Sequence, residues 1–137
     1  MTARQSYHLT FARFSPSLSV KFFTASEAAN TAYRVEITAT SADSSLPLSS
    51  YLNQRAAFEI RPQEAVLSEV AAAFSAGSDE SPAKQWQGII TSCEKLSVSK
   101  DETVYRFVLE PRFAALKHFQ TSRLFQHQTV PDIVAAV

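Results

Sequence analysis

The stretch Lys84–Pro111, KQWQGIITSCEKLSVSKDETVYRFVLEP, decides the fold. In its first half Trp86, Ile89 and Ile90 lead into Thr91 and on to Leu96. In its second half Val104–Leu109 is apolar almost throughout, and Tyr105, Phe107 and Leu109 share one face of a strand. The polar link Ser97–Glu102 is too short for a crossover helix, so the two runs read as antiparallel neighbours in a buried hairpin. The rest of the chain then has to supply the strands that flank it.

Upstream, Tyr7, Leu9 and Phe11 alternate with His8, Thr10 and Arg13 in a half-buried strand that ends at Ser15-Pro16. Leu18, Val20 and Phe22 repeat the alternation. After a polar turn containing Ser26, Glu27 and Asn30, the run Tyr33–Ala39 gives the cleanest period of two, and its polar face has to meet water or a partner chain. Leu46–Leu52 reads as a short helical turn capped by Ser44 or Ser45. Ala57, Phe58 and Ile60 resume strand character until Pro62 stops it. Val66, Leu67, Val70 and Phe74 recur at helical spacing, which predicts an inserted amphipathic helix at about residues 62–82. The stripe of that helix needs a cover, for which the domain's own sheet is the ordinary candidate and a docking partner the other.

Downstream of the hairpin, Phe113–Phe119 reads as a helical turn and Ser122–Gln128 as a short extended segment. Pro131–Val137 opens like a helix, with proline and an acid in its first turn, and stops mid-pattern, as in a fragment of a longer protein. The fold class expected is therefore mainly β: an antiparallel, barrel-like domain with an inserted helix and the start of a C-terminal helix.

The 137 residues suit one domain, and a chain of this size buries roughly two thirds of its unfolded surface. Thirteen basic side chains balance thirteen acidic ones, with no block of either sign. Nucleic acid and anionic membrane are therefore not expected as partners, and no run reaches the roughly twenty apolar residues of a membrane span. No signal-peptide core precedes Pro16. Two glycines leave no room for a phosphate-binding glycine loop. The single cysteine, Cys93, lies within the first hairpin strand and reads as a small packing residue rather than a reactive thiol.

A search for chemistry finds no G-x-S-x-G elbow, and the histidines have no acidic orienter close in sequence. His118 and His127 could share a metal with His8 only through the fold, and surface histidines are the ordinary reading. Glu27 and Glu36 are conceivable as an acid–base pair, but a strand carboxylate facing solvent or a cross-strand cation is the commoner arrangement. Phe22, Phe23, Tyr33 and Arg34 come nearest to the aromatic and arginine pattern of an oligonucleotide-binding barrel. No catalytic residue, metal site or cofactor is assigned.

Several stretches together resemble the amino-terminal hub region of the VgrG family, the spike proteins of bacterial type VI secretion, which are related to the tailed-phage baseplate hub. They are Phe23 with Ser26-Glu27-Ala28 and Asn30, Tyr33-Arg34-Val35-Glu36, Leu46 and Leu48 before Leu52-Asn53-Gln54, and Gly88-Ile89-Ile90-Thr91. The most specific block is Tyr105–Arg112, followed by Leu116 and then Ser122–Val134. The blocks fall in the family's order and cover most of the chain. The inserted stretch from Pro62 to Pro82 departs from the family, which usually has a short turn there.

The resemblance implies a structural protein rather than an enzyme, several times longer than this chain. Its subunits carry two barrel-like domains each and form a homotrimeric hub between a hexameric Hcp-like tube and a β-helical needle. Residues 1–120 would be the first hub barrel and 121–137 the start of the connecting segment. Baseplate and effector proteins would be further partners, with assembly in the bacterial cytoplasm and secretion by the type VI machinery without a signal peptide. Candidate subunit-interface residues are Arg34 and Glu36 on the polar face of the Tyr33–Ala39 strand, and Arg123 and Gln126 in the Ser122–Pro131 segment. The competing reading is a self-contained small β-barrel that binds a ligand or single-stranded nucleic acid.

Overall fold

The computed structural model describes residues 4–63, 84–120 and 122–136. Its six strands are β1 (Arg4–Phe11), β2 (Ser19–Ala28), β3 (Thr31–Ser41), β4 (Arg55–Gln63), β5 (Lys84–Val98) and β6 (Thr103–Glu110). They form one antiparallel sheet in the order β1-β4-β5-β6-β3-β2. The hairpin read from Lys84–Pro111 is the central pair, β5 and β6, and the upstream strands flank it on both sides. The sheet curls until its edge strands approach, and Tyr7 of β1 meets Phe23 of β2 edge-on with ring centroids 5.3 Å apart. No backbone ladder joins β1 to β2, so the barrel is left half closed.

The curl gathers the inward face of every strand into one core. Val35 and Ile37 of β3, Phe58 of β4, Ile90 of β5, and Tyr105, Phe107 and Leu109 of β6 lose all solvent exposure. Register explains why they meet: Val35 lies opposite Leu109, Ile37 opposite Phe107, and Ala39 opposite Tyr105. Aromatic side chains fill the space that the curl leaves. Phe107 contacts Phe11 edge-on at 5.5 Å and Tyr51 at 5.8 Å, and Phe58 stacks with Trp86 at 5.9 Å. Such oriented ring pairs add to the stabilisation that comes from burial alone.

Two local irregularities decide which side chains enter this core. A bulge between Val20 and Phe22 shifts the register of β2 against β3. The extra residue reverses the alternation, so Phe22 is 60% exposed on the outer face while Phe23 packs inward against Phe58 and Trp86. The expected Leu18, Val20, Phe22 alternation is corrected by this bulge. The second irregularity is Gly88, where a Cβ would lie 2.8 Å from the Glu110 carbonyl carbon and 3.0 Å from the Tyr33 hydroxyl. The absent side chain lets β6 and the Tyr33 ring close onto β5, and the Tyr33 hydroxyl donates to the Gln87 carbonyl.

The connections follow the sequence reading with some corrections. Helix α1 (Leu48–Tyr51) forms where a helical turn is expected, but Pro47 is its N-cap and no side chain caps it. Ser45 instead closes a turn on Asp43, donating its N–H and its hydroxyl to Oδ1 at 2.8 and 2.6 Å. Strand β4 also runs past Pro62: its β5 ladder stops at Ile60, while pairing with β1 continues to Gln63. Residues 62 and 63 are therefore strand, and the rest of the expected inserted helix lies outside the described residues. Strand β1 ends at Phe11, short of the expected Ser15-Pro16 boundary, and Phe14 leaves the ladder to pack on Tyr51 at 5.0 Å. A 3-10 helix spans Arg112–His118 and helix α2 spans Val130–Ala136, both where helical starts are expected.

Truncation of Phe107 to alanine should cost about 3–5 kcal/mol, because its ring is enclosed on all sides and the cavity cannot collapse against three neighbouring rings. Chemical denaturation of wild type and variant measures this directly. Gly88→Val should be destabilising as well, since the Glu110 backbone cannot yield without breaking the central ladder.

Candidate functional site

The outer face of β3, β5 and β6 carries a compact group of ionic side chains. Alternation puts Arg34 and Glu36 of β3, Thr91 of β5 and Glu110 of β6 on that face. Glu110 is its centre, with only 9% of its side chain exposed. Its Oε1 accepts from Thr91 Oγ1 at 3.0 Å and from Arg34 Nη1 at 3.3 Å, and its Oε2 from Lys117 Nζ at 3.4 Å. Arg34 also grips Glu36, with Nε and Nη2 at 3.1 and 3.0 Å from Oε1. On the same face Arg106 donates to Glu94 at 2.5 Å. Within this group three cations thus meet three acids.

Energetically the members of this group differ. Arg34 and Lys117 are 53% and 67% exposed, so their ion pairs are worth little on their own. The buried Glu110 carboxylate is the costly element, and the three donors offset its desolvation. Arg34 therefore has two tasks: it helps hold Glu110, and it presents the rest of its guanidinium to solvent.

The polar face of β3 is exposed only near this group. Thr38 and Thr40, on the same face, are 5% and 8% exposed, because the register sets Thr38 between Phe22 of β2 and Arg106 of β6. The part of this polar face that is open to water or a partner chain is thus Arg34 and Glu36. Arg123 and Gln126 belong to a different surface. Both are exposed in the irregular segment before α2, and Arg123 Nη1 donates to the Ala136 carbonyl at 3.4 Å. No hydrogen bond or ion pair among the described residues links them to Arg34 or Glu36. Near them lie the exposed apolar side chains Leu124, Val130 and Val134.

Two other residues weighed for chemistry, Glu27 and Cys93, are occupied structurally. Glu27 accepts from the Trp86 indole N–H at 2.5 Å and from Lys84 at 3.1 Å, which clasps β2 to β5 across the mouth of the half-barrel. The indole hydrogen bond, then that of Lys84, holds the Glu27 carboxyl below the usual carboxylate range. The Cys93 thiol donates to the Leu48 carbonyl at 3.0 Å, and burial, reinforced by Glu94, raises its pKa, in keeping with a packing role. Glu110 itself had no advance signal beyond its position after an apolar strand. Its burial follows from neighbours 76 and 7 residues away in the chain.

Comparison with known proteins follows the same fold. Residues 26–137 match the model of the phage tail baseplate hub (GPD) family. Among solved structures, the chain is similar to the E. coli c3393 protein, described as a component of the type VI secretion system with structural similarity to the T4 bacteriophage tail proteins gp27 and gp5. That likeness has a TM-score of 0.71 at 28% identity and covers 93% of this chain but 30% of the other. A search of curated proteins gave no match.

The clasp between β2 and β5 generates a pH prediction. Because the folded-state pKa of Glu27 is lowered, the stability it contributes is present above the unfolded pKa and is lost as pH falls through the folded one. Trp86→Phe removes the indole donor and should move the Glu27 titration upward, as followed by NMR of the side-chain carboxyl. An unchanged midpoint would show that the indole does not set it.

Proposed function

The chain belongs to the phage tail baseplate hub family, and we propose that it is a structural component of a type VI secretion spike. In this reading it forms part of a trimeric hub that joins an Hcp-like tube to a β-helical needle. Residues 1–120 make the first hub barrel and residues 121–137 begin the segment that leads to the rest of the subunit. The supporting observation is that the family match over residues 26–137 coincides with a structural likeness to a type VI secretion component over 93% of the chain.

The physical demands of such a hub agree with the fold. A ring that transmits force needs rigid walls and repeated contacts rather than a reactive centre. The enclosed aromatic core of the half-barrel supplies the rigidity. Contacts between subunits fall to surfaces that are polar, exposed and held in place. Arg34, held by Glu110, and Glu36, held by Arg34, meet that description, as does Arg123, which donates to the Ala136 carbonyl, with the exposed Gln126 close by in the chain. Assembly on the cytoplasmic side, with baseplate and effector proteins as later partners, completes the reading.

Light scattering of the natural full-length protein tests it: a trimer is expected, and a monomer under native conditions overturns the hub role. Arg34→Gln and Arg123→Glu should each weaken the trimer while the subunit stays folded by circular dichroism, with Arg34→Gln melting somewhat earlier because it also removes one donor of the buried Glu110. A trimer of undiminished stability removes that residue from the interface.

A further inference from the structure

On the outer face next to the Glu110 group, an open cleft of about 470 Å³ lies against the end of β1, the start of β4 and the first half of β5. A small side chain leaves room in it. Ala57 stands between Arg55 and Glu59 on the outer face of β4, and Ile89, 7% exposed, gives the floor an apolar character. Thr10 and Gln87 stand at the sides, and Arg55 and Arg112 reach in from β4 and from the start of the 3-10 helix.

The charge of this cleft is unbalanced. Glu110, across the ladder from Ile89, is already engaged by Arg34 and Lys117. The nearest acid along β4, Glu59, is engaged by Arg61 at 2.7 Å and by Gln85 at 2.9 Å. Neither Arg55 nor Arg112 has an acidic partner among the described residues, although the chain as a whole is neutral. Two exposed guanidinium groups beside an apolar floor thus have no acidic partner among the described residues, on a face where Arg34, Arg61, Arg106 and Lys117 do have one.

We propose that this cleft is a docking site for an acidic peptide segment of a partner protein, whose carboxylates pair with Arg55 and Arg112 while an apolar side chain covers Ile89. Guanidinium forks match carboxylates geometrically, which gives the site direction as well as charge. The volume fits a few residues of extended peptide. A nucleic acid would require a longer track of cations than two arginines provide. The site does not depend on the hub reading, since it is built from the cleft and its charges alone.

The test is a calorimetric titration of the full chain with a capped Glu-Asp-Leu-Asp-Glu peptide and with its amide counterpart, Gln-Asn-Leu-Asn-Gln, at low and at high salt. The expected result is saturable binding of the acidic peptide only, weakened by salt. Arg55→Gln combined with Arg112→Gln should reduce affinity by about tenfold or more, the scale of a lost charge-assisted contact. Ala57→Leu, which fills the hollow without removing charge, should weaken it too, and unchanged melting curves would show that both variants are folded. The proposal is overturned if the acidic peptide fails to bind, binds no better than the amide peptide, or is indifferent to the arginine substitutions. It is also overturned if inorganic phosphate displaces the peptide at matched concentration, which makes a small-anion site, or if a short single-stranded oligonucleotide binds more tightly through the same arginines.

Discussion

The enclosure of β6 between β3 and β5 is the constraint on which the remainder of the molecule depends. Tyr105, Phe107 and Leu109 have no exposure, which requires strands on both sides, a curled sheet, and a roof made by α1 and the residues before it. Each requirement is met by a particular contact. Ile37 and Val35 oppose Phe107 and Leu109 from β3, Tyr51 of α1 covers Phe107, and the Tyr105 hydroxyl donates to the Asp43 carbonyl at 2.7 Å. Loss of any of these would leave aromatic surface or a buried hydroxyl unsatisfied.

The same strand fixes the outer surface. Because side chains alternate, burying Phe107 and Leu109 inward commits Arg106, Val108 and Glu110 to the other face. Glu110 is then flanked by β3 and β5 and becomes a nearly buried carboxylate that needs cations. Arg34 and Lys117 answer that need, and in doing so become ordered parts of the surface rather than freely moving chains. Core packing and the arrangement of charged groups are in this sense one design, joined through the Gly88 position where β5, β6 and Tyr33 come closest.

Membership in the baseplate hub family sits naturally on this architecture. A half-closed barrel leaves its edge strands and one end available, and its charged outer face is fixed by backbone rather than by loops. Asparagines provide the tight connections that a chain with two glycines would otherwise lack: Asn30 turns β2 into β3 with φ of 60°, and Asn53 leads into β4 with φ of 61°. Both residues also belong to the blocks through which the sequence resembles VgrG hub regions, and left-handed backbone is a physical reason for asparagine at such positions.

The central hairpin, the period-two strands, the short helical turns and the mainly β class were legible in the sequence, because each depends on local alternation and on turn residues close in the chain. Phe22 was misread because a single bulge, set by pairing with β3, reverses the faces beyond it. Ser44 and Ser45 were misread as caps because local propensity does not reveal that Asp43 captures Ser45. Arg34 and Glu36 were legible as polar strand residues, whereas the burial of Glu110, the approach of Lys117, and the convergence of Arg55 and Arg112 on one cleft were not. The sequence by itself determined where the strands lie, to within a few residues, and which face is apolar wherever no bulge intervenes, since those follow from side-chain chemistry at a spacing of two. Only the tertiary structure decided the strand order, the curl and the charge pairings, since these are set by contacts between residues distant in the chain that no local pattern encodes.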